Sequence, residues 1–150
     1  MNHWRPWQAN AALEANEELY RDRFKRYFAK VFAYALSCSG DQTAAKSVTT
    51  EAFLATFAGG PGPSDEEFRL ALFGNARRLW RTARQRPFFD DALNRRERDA
   101  LSLLFDAELS KGEVAQLLRL RETTLTATVL RGLLKLREQP LLSSAVAAHA

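Results

Sequence analysis

The sequence predicts an all-α chain built as two small helical modules joined by a short linker. Three observations carry that expectation. Apolar residues recur at helical spacing along most of the chain, nothing alternates at period two, and breaks rich in Gly, Pro and Asp separate the periodic runs.

The elements follow in order. Tyr20, Phe24, Tyr27, Phe28, Val31, Ala35 and Leu36 repeat at helical spacing and define a long first helix, which Ser39-Gly40-Asp41 ends. A second helix is expected over about 42–57. The run Gly59-Gly60-Pro61-Gly62-Pro63-Ser64 breaks the chain, and Ser64 with Glu67 has the spacing of a capping box for a third helix over about 65–84. Pro87 stops that helix, because its ring removes a donor and disfavours helix in the preceding residue. Three further helices are expected over about 91–106, 110–118 and 122–137. The tail from Gln139 to Ala150 is small and apolar, and loose packing or disorder is expected there.

The most specific pattern lies at 109–137. Val114, Leu117 and Leu118 give one helix an apolar stripe, and Leu125, Val129, Leu133 and Leu136 give the next another. Between them Arg121-Glu122-Thr123-Thr124 stands where a polar cap opens the second helix of a helix-turn-helix. Such a helix reads base edges in the major groove with Arg, Lys, Asn or Gln. Here its first turns offer Thr123, Thr124, Thr126, Ala127 and Thr128, with no basic residue between Arg121 and Arg131. The scaffold is that of a DNA reader, and the reading surface is poor.

Net charge is a modest +4, and its distribution says more. Residues 61–86 carry six arginines against Asp65, Glu66 and Glu67, whereas residues 87–150 carry nine charges of each sign. No apolar run approaches the ~20 residues needed to cross a bilayer, and the N-terminus lacks an apolar signal core. A cytoplasmic protein without membrane insertion is expected. Cys38 is the single cysteine, so no internal disulfide forms. Two histidines at opposite ends, His3 and His149, assemble neither a nucleophilic set nor a metal site. The glycine run at 59–62 lacks the Lys-Ser/Thr of a phosphate loop. No enzyme, cofactor, metal or small-molecule substrate is therefore expected.

From about Leu19 to Glu138 the chain resembles the sigma-70 family of bacterial RNA polymerase, specifically its short, extracytoplasmic-function sigma factors. The stretch LYRDRFKRYFAKVFAYALSCSGDQTAAKSVTTEAFLATF is similar to sigma region 2 up to its polymerase-binding helix. FRLALFGNARRLWRTARQR resembles the helix that grips and melts the downstream promoter element. ALNRRERDALSLLFDAELSKGEVAQLLRLRETTLTATVLRGLLKLRE resembles sigma region 4. The resemblance divides the chain into an N-terminal arm (1–18), a region 2-like module (19–86), a linker (87–92), a region 4-like module (93–138) and a tail (139–150).

That resemblance implies partners and site residues. Core RNA polymerase would meet the second helix through Lys46, Thr50, Glu51, Leu54 and Phe57. The downstream promoter element would meet Arg77, Arg78, Trp80, Arg81 and Arg84, of which Arg77, Arg81 and Arg84 share one helical face. Trp80 has two readings, stacking on an unpaired base or packing in the core. The upstream element would face Arg121, Thr123, Thr124, Thr126, Thr128 and Arg131. Trp4 and Trp7 either anchor a partner or fold back over an apolar face.

Departures from the family pattern matter equally. The polymerase-facing run usually reads Glu-Asp-Leu-Val-Gln-Glu-Thr-Phe. Here it reads Lys46-Ser47-Val48-Thr49-Thr50-Glu51-Ala52-Phe53, and Phe57 replaces the usual closing tryptophan. Arg78 stands where asparagine is usual. Arg119 occupies the turn position usually held by glycine, which enters positive φ without steric cost. The six linker residues reach about 25 Å at ~3.3–3.6 Å each, against promoter elements separated by more than one ~34–36 Å turn of DNA. A compact molecule is expected. These departures keep a second function open: a sigma mimic that occupies an anti-sigma factor without directing transcription.

Overall fold

A computed structural model of the chain describes residues 6–60, 64–82 and 92–138, with side chains in its first segment from residue 17 onward. Six helices follow one another, and no strand occurs among the described residues. The fold is all-α, as the periodicity predicts.

Helix α1 spans Pro6–Ser39. It starts well before Tyr20, so most of the expected N-terminal arm is helical. Pro6 occupies the first helical position, where its fixed φ suits the helix and its missing N–H costs nothing. Gly40 at φ 77° turns the chain, and Asp41 caps α2 (Gln42–Ala58) by accepting the Ala44 amide at 2.8 Å. Ser64 Oγ likewise accepts the Glu67 amide at 3.1 Å at the start of α3 (Asp65–Thr82). Complete reciprocal capping boxes form further on. Asn94 and Glu97 open α4 (Arg95–Phe105), and Ser110 and Glu113 open α5 (Lys111–Leu118). The expected helix over 91–106 thus starts at its cap. Helix α6 (Glu122–Arg137) has the predicted bounds.

Helices α1, α2 and α3 pack on one another around Tyr27, Val31, Tyr34, Phe53, Leu72 and Phe73. Ala35, Ala45, Ala52 and Ala76 are fully buried, and their small side chains let the three backbones approach closely. The second half is not a separate core. Leu103, Val114, Ala115 and Leu125 belong to the same buried cluster, and Leu117 lies against Gly74 of α3. Apolar packing therefore runs without a gap from the first helix to the sixth. Leu133, expected within the apolar stripe of α6, is 42% exposed instead. Gly132 explains the close crossing of α6 over α4, since a Cβ there would stand 2.8 Å from Leu101 Cδ1.

Candidate nucleic-acid and partner surfaces

Phe68, Leu72, Phe73, Ala76 and Trp80 bury one face of α3 and leave its arginines on the flanks. Two of those arginines are held by the second half of the chain. Arg69 Nε donates to Glu113 Oε2 at 2.7 Å, while its Nη1 reaches the Tyr27 hydroxyl and Asp65. Arg77 Nε donates to Asp99 Oδ2 at 2.7 Å. The run of arginines has no acid beside it in sequence, yet an acid from α4 meets it in space.

Asp99 is the centre of a buried polar network. It is 2% exposed and accepts from the Tyr34 hydroxyl at 2.6 Å as well as from Arg77. Trp80 Nε1 in turn donates to the Tyr34 oxygen at 2.8 Å. Burial pushes the Asp99 carboxyl above its usual range, although the Tyr34 and Arg77 hydrogen bonds pull the other way. Burial likewise drives the Tyr34 hydroxyl well up, reinforced by the neighbouring Asp99 charge. One carboxylate thereby joins α1, α3 and α4. This network also settles the position of Trp80, which is 6% exposed and turned into the core with its N–H satisfied. In this conformation it cannot stack on a base, and Arg77 is not free to grip a phosphate.

Arg78 and Arg81 remain exposed and form no salt bridge among the described residues, although the Arg81 charge also acts on Asp99. Arg84 and the linker up to residue 91 lie outside the described residues, as do the side chains of Trp4 and Trp7. Packing adds two cations that no local pattern signals. Arg95 of α4 and Arg119 at the end of α5 come to the same side as Arg77, Arg78 and Arg81, around a cavity of about 680 Å³.

Helices α5 and α6 follow one another across a short turn where the helix-turn-helix is expected. Arg119 closes α5 in the left-handed conformation, φ 55° and ψ 47°, so the turn keeps its geometry without the usual glycine. That conformation costs a non-glycine residue ~1–2 kcal/mol. Arg121 is the N-cap of α6, and its side chain makes no capping bond because a guanidinium offers no acceptor. The hydroxyls of Thr126 and Thr128 bond back to the carbonyls of Glu122 and Thr124, and Thr128 is 1% exposed. Thr128 is thus removed from any reading surface. Thr123, Thr124, Ala127 and Arg131 stay open to solvent, together with Leu130 and Leu134. Below them, Leu133 and Leu136 line a largely apolar depression with Phe105 and Leu93.

Lys46, Thr50, Glu51 and Leu54 form an exposed strip along α2. Phe57 is half-buried and packs against Tyr20, Phe53 and Phe68. Beside the strip, Phe24 and Phe28 of α1 are exposed and lean on Phe53, at centroid distances of 4.9 and 6.5 Å. Both rings belong to the apolar repeat that defines the first helix, and they form an open aromatic ridge.

Comparison with protein-family models, curated proteins and solved structures returns no match for this chain.

Proposed function

We propose that the chain is a sigma-factor-like protein of bacterial transcription initiation, cytoplasmic and without catalytic activity. The helix-turn-helix of α5 and α6 carries this reading: its turn holds the left-handed geometry even with Arg119 in place of glycine. Core polymerase docks on α2 through Lys46, Thr50, Glu51 and Leu54, with the Phe24–Phe28 ridge alongside. Aromatic and aliphatic side chains that stay open at such a surface are the usual anchors of a protein interface. Promoter DNA is held by Arg78 and Arg81, and by Arg84 in the continuing chain. The upstream element meets Arg121, Thr123, Thr124 and Arg131. Specific reading there is weak, because threonine cannot make the bidentate base contacts that arginine or asparagine supplies.

A second reading is favoured by one observation, the Asp99 network. It ties Arg77 and Trp80 into the body of the protein and fixes the two halves against each other. A mimic that captures an anti-sigma factor needs that fixed shape and needs no reading helix. The exposed Leu130, Leu133 and Leu134 of α6 suit such a protein partner better than a DNA groove.

Salt separates the two. True phosphate contacts give a log-affinity slope of about −0.9 per neutralised phosphate on duplex DNA. In the sigma-factor reading, duplex affinity falls steeply with salt, and replacing Arg78 and Arg81 by alanine flattens the slope by about two such increments. Undetectable DNA binding at low salt overturns that reading and leaves the mimic.

A further inference from the structure

Five guanidinium groups surround the 680 Å³ cleft between the halves: Arg77, Arg78 and Arg81 from α3, Arg95 from α4 and Arg119 from the end of α5. Asp99 balances Arg77. The other four form no salt bridge among the described residues, although the Arg81 charge also acts on Asp99, and no described acidic residue lines the cleft. Like charges gathered on a concave wall repel one another, and folding has placed them there from three separate helices. We infer that the cleft is a binding site for a compact polyphosphate, a ligand carrying several phosphoryl groups in one chain.

The class follows from charge density, shape and donor type. All five cations are arginine and none is lysine. Apart from Arg77, which Asp99 holds, their planar forks are open to match phosphate oxygens in pairs, whereas lysine acts as a point charge. The cleft lies in the size range of small-molecule sites, ~300–1,000 Å³. An acidic peptide spreads its charge at one carboxylate per ~3.3–3.6 Å of chain, whereas a triphosphate delivers several charges within one such cleft. Leu117 and Leu118 supply an apolar wall on which a nucleoside could lie. The ligand is held rather than converted, since no nucleophile poised beside a general base lines the cleft among the described residues. Its binding pins α3 to α4 and α5. The inference stands apart from the transcription reading and does not rely on it.

The test uses the full chain and inorganic tripolyphosphate, followed by calorimetry and thermal melting at physiological salt. Saturable binding of one equivalent with a rise in Tm is expected. Arg81→Gln and Arg95→Gln each weaken it about tenfold, the loss typical of one charge-assisted hydrogen bond. Lys25→Gln, at an exposed position of α1 that does not line the cleft, leaves it unchanged. Arg119→Gly is the sharpest variant. It relieves the left-handed turn and so raises the Tm of the free protein while weakening tripolyphosphate binding, a pair of changes that damage to the fold does not produce. A nucleoside triphosphate that binds more tightly than tripolyphosphate assigns the Leu117–Leu118 wall to its base, and equal affinity assigns the cleft to the phosphate chain alone. No saturable tripolyphosphate binding, an equal effect of Lys25→Gln, or binding of single-stranded DNA or an acidic peptide but not tripolyphosphate overturns the inference.

Discussion

Helices α3 and α6 occupy the two places where DNA contact is expected, and they are equipped in opposite ways. Helix α3 has the cations but little freedom. Arg69 and Arg77 are bound to Glu113 and Asp99, and Trp80 is locked to Tyr34. Helix α6 has the freedom but few donors. Its open face carries threonines, an alanine and leucines between Arg121 and Arg131. Charge in this molecule thus serves two tasks at once, fastening the halves together and presenting guanidinium groups to an anion. The distinction can be broken from either side.

The largest effect belongs to Asp99. Replacing it by alanine leaves the buried Tyr34 hydroxyl without its acceptor and Arg77 without its partner. A loss of about 3–5 kcal/mol in denaturant unfolding is expected, the range for breaking a buried pair from one side. Asp99→Asn keeps an acceptor for Tyr34 and loses less. Next comes Gly132→Val. The added side chain meets Leu101 at a position where even a Cβ is too close, so α6 must shift away from α4 at a cost of about 1–3 kcal/mol.

Acid acts on the same contacts. Burial alone would raise Glu97 and Glu113. However, Lys135 and the Asn94 amide at the first, and Arg69 and the Ser110 amide at the second, outweigh it and leave both carboxyls lowered. The folded chain therefore binds fewer protons at these sites than the unfolded chain. Their contribution is complete above the ordinary glutamate pKa of ~4.3 and is lost as pH falls through the lowered folded values. Asp99, raised by burial, works in the opposite direction, taking up its proton in the folded state first. The Glu97 and Glu113 contributions are therefore the ones lost in acid. Melting curves below about pH 4.3 should show a shallower decline in a Glu97→Gln, Glu113→Gln double variant.

The smallest effects are gains. Arg121→Asp supplies α6 with the capping oxygen it lacks and places a negative charge at its N-terminus, for about 1 kcal/mol. Arg119→Gly gains up to ~1 kcal/mol by removing left-handed strain, partly offset by the greater freedom of glycine in the unfolded chain. Both are measured by the shift in denaturation midpoint. Arg119, held at a cost to stability, lines the cleft proposed for an anion.

Much of this was legible in the sequence, for reasons that differ from helix to helix. Helix α6 was readable because Leu125 and Val129 sit four apart and Arg121-Glu122 opens the run. The break at Gly40-Asp41 was readable because a positive-φ glycine and a capping aspartate leave local marks. The start of α1 is marked only by Pro6 at its first position, and the apolar repeat from Tyr20 onward does not show it. The site was less legible than the fold. Tyr34 and Asp99 meet across 65 positions, and Arg77 and Asp99 across 22, so neither pair leaves a periodic trace. Arg95 and Arg119 join the α3 arginines solely through the packing of α4 and α5 on α3. The exposure of Phe24 and Phe28 escaped notice because helical spacing marks a face without saying whether another element covers it.

The most direct test of the proposed function is co-elution of the purified full chain with core RNA polymerase, and separately with an anti-sigma factor of the same host. A one-to-one polymerase complex that Lys46→Glu and Leu54→Glu abolish, while the free protein keeps its melting temperature, is the predicted result. No polymerase complex alongside tight capture of the anti-sigma factor would contradict it and make the chain a mimic.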